Sequence, residues 1–112
     1  MGTIESKVDV DKITREVNAH PVFIFTKEEC SFCSKSKSIL KQENIPFTEC
    51  TLDTFKKDNP GEYQSFVNGL VFKTRQTTLP QIFICGRFVG GYTELEKLKN
   101  TKSLLDVISE CS

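Results

Sequence analysis

Residues 22–26, VFIFT, are all β-branched or aromatic, the composition of a strand buried on both faces. Lys27 follows at once, and then two cysteines, Cys30 and Cys33, with only Ser31 and Phe32 between them. From Ser31 the run SFCSKSKSILKQEN turns Ile39 and Leu40 to one side and Lys35, Lys37 and Lys41 to the other, which predicts a helix. A cysteine pair therefore sits where a buried strand ends and a helix begins. By spacing alone such a pair could be half of a metal site, a structural disulfide or a redox centre.

The remaining pattern is alternating. Val10, Ile13 and Val17 recur at helical spacing and predict a helix over 8–19. After Pro46 the stretch FTECTL reads as a second strand. Asn59 as N-cap, Pro60 at the first position and Glu62 at the third mark a helix start. Tyr63, Phe66, Val67, Leu70 and Val71 then form one apolar stripe. Beyond the polar loop KTRQTT, QIFIC and FVG around Gly86-Arg87 predict a hairpin, Thr93 with Glu96 a capping box, and LLDVIS a last helix. A right-handed crossover makes the first two strands parallel. The expected class is α/β, a thioredoxin fold with a four-stranded mixed sheet flanked by helices, in which C-x-x-C beside a βαβ unit reads as a redox motif.

At 112 residues the chain, 1–112, is expected to be a single domain. Its formal net charge is zero, so it offers no footprint for nucleic acid or an anionic membrane. No apolar stretch is long enough to span a bilayer, and no signal-peptide core opens the chain; a soluble, cytoplasmic protein is expected. MGTIES fits the myristoylation pattern through Gly2 and Ser6, without the basic patch that would supply a second anchor. Five cysteines is an odd number, which argues against a purely intramolecular disulfide framework. No second Cys or His pair exists and the only histidine is His20, so structural zinc is not expected. Cys50 and Cys85 fall in expected strands and read as small buried hydrophobes. Cys111, in the tail, has no assigned role. His20 reads as a strand-entry residue, and Lys35, Lys37 and Lys41 as a solvated helix face.

Position differentiates the two thiols. Cys30 is expected at the N-cap or first turn of its helix, where unpaired N–H groups and the helix dipole favour an anion. Lys27 adds positive charge, and Glu28 and Glu29 oppose it. Cys30 is therefore the expected low-pKa nucleophile. Cys33, one turn inward on the same face, is suited to resolve a mixed disulfide.

Over about residues 10–110 the chain resembles the glutaredoxins. FTKEECSFC is similar to the family's active-site entry, TTLPQIFI to its Thr-Val-Pro segment, and FVGGYTEL to its Gly-Gly turn with a polar-acidic pair. The resemblance implies glutathione as reductant and a cis Pro80. It implies that Lys27 holds the glycyl carboxylate, that Thr78 and Leu79 offer backbone hydrogen bonds, and that Thr93 and Glu94 hold the γ-glutamyl end. Phe32 would wall the sulfur, and Gly90 and Gly91 would let the backbone come close. The chain departs from the family pattern at four places: Ser31 for proline, Phe32 for tyrosine, Thr77 for arginine or glutamine, and Glu94 for aspartate.

The function implied is a glutathione-dependent thiol-disulfide oxidoreductase. It would reduce protein disulfides and glutathione mixed disulfides through a redox-active Cys30–Cys33 pair, with disulfide-bearing or glutathionylated proteins as partners and a monomer as the working form. The alternative, suggested by Ser31, is a 2Fe–2S cluster bridging a dimer through Cys30 and bound glutathione. A reductase served by a protein partner is disfavoured by Lys27, TTLP and GGYTEL, and by the absence of tryptophan before the cysteine pair.

Overall fold

A computed structural model of the chain describes residues 9–111. The elements run α1 Val10–Asn18, β1 Val22–Thr26, α2 Ser31–Gln42, β2 Thr48–Thr51, α3 Leu52–Asp58, α4 Tyr63–Thr74, β3 Gln81–Ile84, β4 Arg87–Gly90, α5 Tyr92–Asn100 and α6 Leu104–Ser109. The four strands form one sheet in the order β2-β1-β3-β4. β1 is parallel to β2 and antiparallel to β3, and β3 is antiparallel to β4. This is the expected thioredoxin fold. The possible myristoylation site, Gly2 and Ser6, lies outside the described residues.

Every residue of β1 and β3 is buried, so each strand fills two cores at once. Val22, Ile24, Ile82 and Ile84 face α2, α5 and α6 through Ile39, Leu40, Leu95 and Leu104. On the opposite face Phe23, Phe25 and Phe83 meet α1, α3 and α4 through Ile13, Val17, Leu52, Phe66 and Leu70. One core is aliphatic and the other is half phenylalanine. Phe25 lies edge-on to Phe66 and Phe83, each at 5.8 Å, and Phe55 stacks on Phe66 at 4.2 Å. Such pairs add about 0.5–1.5 kcal/mol beyond their buried area.

Four local expectations are corrected. The second strand stops at Thr51, and Leu52 opens α3, a helix the sequence pattern did not signal. Asn59 is the C-cap of α3, its N–H donating to Phe55 O at 2.8 Å, and α4 starts only at Tyr63. The Asn-Pro-Gly-Glu segment is thus a turn between two helices, because its turn residues satisfy the end of the first one. The capping box expected at Thr93 and Glu96 forms instead as half a box two residues earlier. The Glu94 carboxylate accepts the Gly91 N–H at 2.7 Å, while Glu96 accepts the Tyr92 hydroxyl at 2.8 Å. Finally, Cys85 is not in a core strand. It lies half-buried in the β3–β4 turn at φ +54° and is disulfide-bonded to Cys111, with Cα atoms 5.4 Å apart.

The α1–α4 contact depends on one residue. A Cβ at Gly69 would fall 2.6 Å from the Asp9 carbonyl oxygen and 3.0 Å from Ile13 Cδ1. Alanine in a helix interior is favoured over glycine by about 0.5–1 kcal/mol. A clash with a neighbouring backbone is the larger effect, at about 1–3 kcal/mol. Gly69→Ala is therefore expected to lower the urea midpoint of unfolding, against the sense of helix propensity; an unchanged or higher midpoint refutes this packing.

Candidate active site

β1 is buried to its last residue, Thr26, and the next four residues bring the chain to the surface and set the Cys30 sulfur. Glu29 takes a left-handed conformation, φ +53°, which turns the backbone so that Cys30 becomes the N-cap of α2. The Glu28 N–H donates to the Asp53 carboxylate at 3.2 Å, tying this turn to α3. Cys30 Sγ accepts the Cys33 N–H at 3.1 Å, so a backbone donor of the first helical turn is aimed at the sulfur. The first turn of α2 contains no acidic residue. Cys30 and Cys33 are disulfide-bonded, Cα atoms 5.2 Å apart. Cys30 is half-buried, whereas Cys33 is only 2% exposed, the inequality that separates an attacking from a resolving thiol.

Opposite the disulfide lies the loop before β3, with a cis Leu79-Pro80 bond. Cys30 Sγ is 3.9 Å from the Leu79 carbonyl oxygen. Two amide side chains brace this loop. Gln76 Nε2 donates to the carbonyls of Thr78 (2.9 Å) and Pro80 (3.2 Å), and Gln81 Nε2 to those of Gln76 (2.7 Å) and Thr78 (3.3 Å). The Thr78 carbonyl therefore already accepts two hydrogen bonds, its full capacity. On the third side run Gly90 and Gly91. A Cβ at Gly90, whose φ is +136°, would fall 2.6 Å from Glu94 Oε1, and one at Gly91 would fall 3.2 Å from the Pro80 carbonyl oxygen.

These segments enclose a groove of about 540 Å³. Lys27, Phe32, Thr78, Leu79, Pro80, Gly91, Thr93 and Glu94, brought together from three segments of sequence, all line it beside Cys30. Cys33 does not. It faces a second groove, of about 560 Å³, shared with Thr26, Lys37, Glu49 and Thr51. Lys37 is not merely a solvated lysine, since its ammonium pairs with Glu49 at 3.0 Å. Burial pushes the Glu49 carboxyl up, but hydrogen bonds from Thr26 (2.5 Å) and Lys37 and the Lys37 charge outweigh it, so the group lies below the usual carboxylate range. Lys35 also has partners. Its ammonium sits 5.4 Å from the Phe32 ring centre and 5.8 Å from that of Tyr92, and the two rings stack at 5.6 Å.

Sequence reasoning missed Gln76, Tyr92, Glu29 and Asp53. Gln76 stands one residue before Thr77, where the family pattern drew attention, in a polar loop with no motif of its own. Nothing in the sequence marks Glu29 as left-handed, since non-glycine residues there are uncommon.

A further groove, of about 620 Å³, runs along β2 by Arg15, His20 and Cys50, away from the disulfide. Burial, and then the nearby Glu16 and Glu49 charges, push the Cys50 thiol up to about 11. At pH 8 only about one thiol in a thousand is then ionised. Alkylation of Cys50 by iodoacetamide is expected to be slow at pH 8 and to rise with pH until about 11. Rapid labelling at neutral pH refutes this.

Comparison with known proteins follows the same geometry. The glutaredoxin family model matches residues 22–89, from the start of β1 to β4. Glutaredoxin-2 of Schizosaccharomyces pombe is 32% identical over 98 residues, covering 88% of this chain and 84% of its own length. The mitochondrial glutaredoxin-2 of Mus musculus is 31% identical over 102 residues, covering 91% of this chain, which spans 62% of the mouse protein. Among solved structures, a buckwheat glutaredoxin–glutathione complex superposes with a TM-score of 0.79 at 25% identity, covering 91% of this chain and 88% of its own. With its dithiol pair at the start of α2, the chain belongs to the glutaredoxin family of thiol oxidoreductases.

Proposed function

We propose that the chain is a glutathione-dependent oxidoreductase that reduces glutathione mixed disulfides and protein disulfides. The observation that carries this reading is the groove beside Cys30, whose lining joins a cation, Lys27, an acid, Glu94, and the loop of Thr78, Leu79 and Pro80. A zwitterionic tripeptide needs those three features. The glutathione held by the buckwheat relative supports the same ligand here.

In the reduced enzyme the Cys33 N–H and the helix start favour the Cys30 thiolate. That thiolate attacks the glutathione sulfur of a mixed disulfide. A new S–S bond forms between Cys30 and glutathione, and the protein thiolate leaves and takes up a proton. A second glutathione thiolate then attacks the glutathione sulfur on Cys30, releasing glutathione disulfide and restoring the Cys30 thiolate. With a protein disulfide as substrate, Cys33 displaces the substrate from Cys30 and leaves the Cys30–Cys33 disulfide, which two glutathione molecules reduce. Lys27 would bind the glycyl carboxylate, and Thr93 and Glu94 the γ-glutamyl end. Because the Thr78 carbonyl is taken by Gln76 and Gln81, Leu79 is the residue of that pair left to accept from the ligand's backbone. Glu94 already accepts the Gly91 N–H through one oxygen, which fixes its carboxylate at the groove.

The cluster-binding alternative rests on Ser31. Among the described residues no three His, Cys, Asp or Glu side chains gather to hold a metal. The active-site pair offers one accessible sulfur, Cys30, because Cys33 is buried. A cluster bridging two subunits would take one such sulfur from each chain and the others from bound glutathione, so Cys30 is the residue here that would hold it.

Cys30→Ser is expected to reduce turnover of a glutathionylated peptide to the uncatalysed background. Cys33→Ser is expected to keep that activity and to lose reduction of a protein disulfide. A Cys30→Ser protein that stays active overturns the mechanism. Lys27→Gln, by removing one charge-assisted contact of about 1.5–3 kcal/mol, is expected to raise the KM for glutathione roughly 10-fold or more, with kcat less affected. An unchanged KM would remove Lys27 from the binding site.

A further inference from the structure

The turn between β3 and β4 places Cys85 and Gly86 both at positive φ, +54° and +79°. Two-residue hairpin turns of this form favour Asn-Gly or Gly-Gly, because those residues enter the left-handed region most easily. Cysteine has no such advantage. What the position supplies is a direction: Cys85 Sγ points at the C-terminal helix, 3.6 Å from the Val107 carbonyl oxygen and 3.5 Å from that of Ile108. Cys111 approaches from beyond the end of α6 and closes the disulfide, its own sulfur 3.4 Å from the Ile108 carbonyl oxygen. The neighbouring residues Arg87 and Glu110 form an ion pair between the same two segments. This pair of sulfurs lies at the opposite end of β3 from Pro80, roughly 13 Å along the strand from the active-site groove.

We propose that Cys85 and Cys111 are a second thiol–disulfide site, oxidised by a low-molecular-weight disulfide such as glutathione disulfide, that latches the C-terminal helix onto the β3–β4 turn. Cys111 is exposed and Cys85 half-buried, so Cys111 attacks first. Its thiolate takes one sulfur of glutathione disulfide and expels a glutathione thiolate. The Cys85 thiolate then attacks Cys111 Sγ and expels the second glutathione. Two electrons pass from the cysteine pair to glutathione disulfide, and the two thiol protons end on the two glutathione molecules released. In the reduced state the thiols keep the Val107 and Ile108 carbonyls as acceptors, so opening removes the covalent tie without dismantling α6.

The two couples of this chain differ in their surroundings. Cys30 faces a backbone N–H, which favours a thiolate. Cys85 and Cys111 face carbonyl oxygens, which disfavour one. A couple whose reduced form is stabilised is the more readily reduced, so glutathione opens the active pair first and the latch stays closed until a stronger dithiol reductant acts.

The test uses the full chain. It is incubated with glutathione disulfide, with reduced glutathione or with dithiothreitol, then blocked with N-ethylmaleimide and digested without reduction. Trypsin places Cys85 in the peptide 76–87, Cys111 in 103–112 and Cys50 in 42–56. The expected result is a cross-link between 76–87 and 103–112 after either glutathione treatment, lost after dithiothreitol, while reduced glutathione frees Cys30 and Cys33. In a Cys30→Ser, Cys33→Ser background, closing the latch is expected to raise the melting temperature by on the order of 10 °C. Adding Cys111→Ser abolishes that rise. Blocked Cys85 and Cys111 after glutathione disulfide, a link to Cys50 or to a second copy, or opening of both pairs by reduced glutathione overturns the proposal. If the serine variants do not fold, the peptide map of the natural sequence decides alone.

Discussion

Burial of β1 on both faces is the constraint from which the rest of the molecule follows. A strand with Val22 and Ile24 on one side and Phe23 and Phe25 on the other cannot be left against water on either. Helices must therefore pack on both faces, and strands must pair on both edges, which β2 and β3 do. The same burial fixes where the strand ends. Thr26 is the last buried residue, and Lys27 is the first that reaches solvent. The cysteine pair thus follows at the carboxyl end of a strand that is buried on both faces and paired on both edges.

From that fixed point the site is assembled by side chains that satisfy backbone groups. Asp53 holds the turn before Cys30, Gln76 and Gln81 hold the loop opposite, and Glu94 holds the start of α5. None of these needs a ligand to be in place. The groove is preformed, so less ordering is required on binding. The arrangement also divides labour between the two sulfurs. Cys30 lines both grooves, whereas Cys33 reaches only the one it shares with Lys37 and Glu49.

Much of this was legible in the sequence where a signal is local and unopposed. The VFIFT run, the cysteine spacing and the apolar stripe of α4 each report one physical requirement, and each was read in the right place. α3 was missed because Leu52–Asp58 is short and the Asn59-Pro60 pair after it has the chemistry of a helix start as well as of a helix stop. Cys85 was misread because a cysteine after an apolar run looks like strand, and only the chain's return through α6 shows that it faces Cys111. The groove residues came from resemblance, since Lys27, Thr78 and Glu94 lie far apart in the sequence and no periodicity connects them. Gln76 and Asp53 escaped both routes: their work is done on backbone groups, which leave no trace in side-chain patterning.

Among the described residues the sheet has two open edges, β2 and β4, and each is only four residues long. Each also bears a charged side chain already engaged across to a helical segment, Glu49 with Lys37 and Arg87 with Glu110. Open edges are where one chain recruits another into a continuous sheet. Here an incoming strand would find few backbone partners and would meet an ion pair at either side. Edge-to-edge aggregation is opposed by the same short strands that leave room for the reactive end of β1.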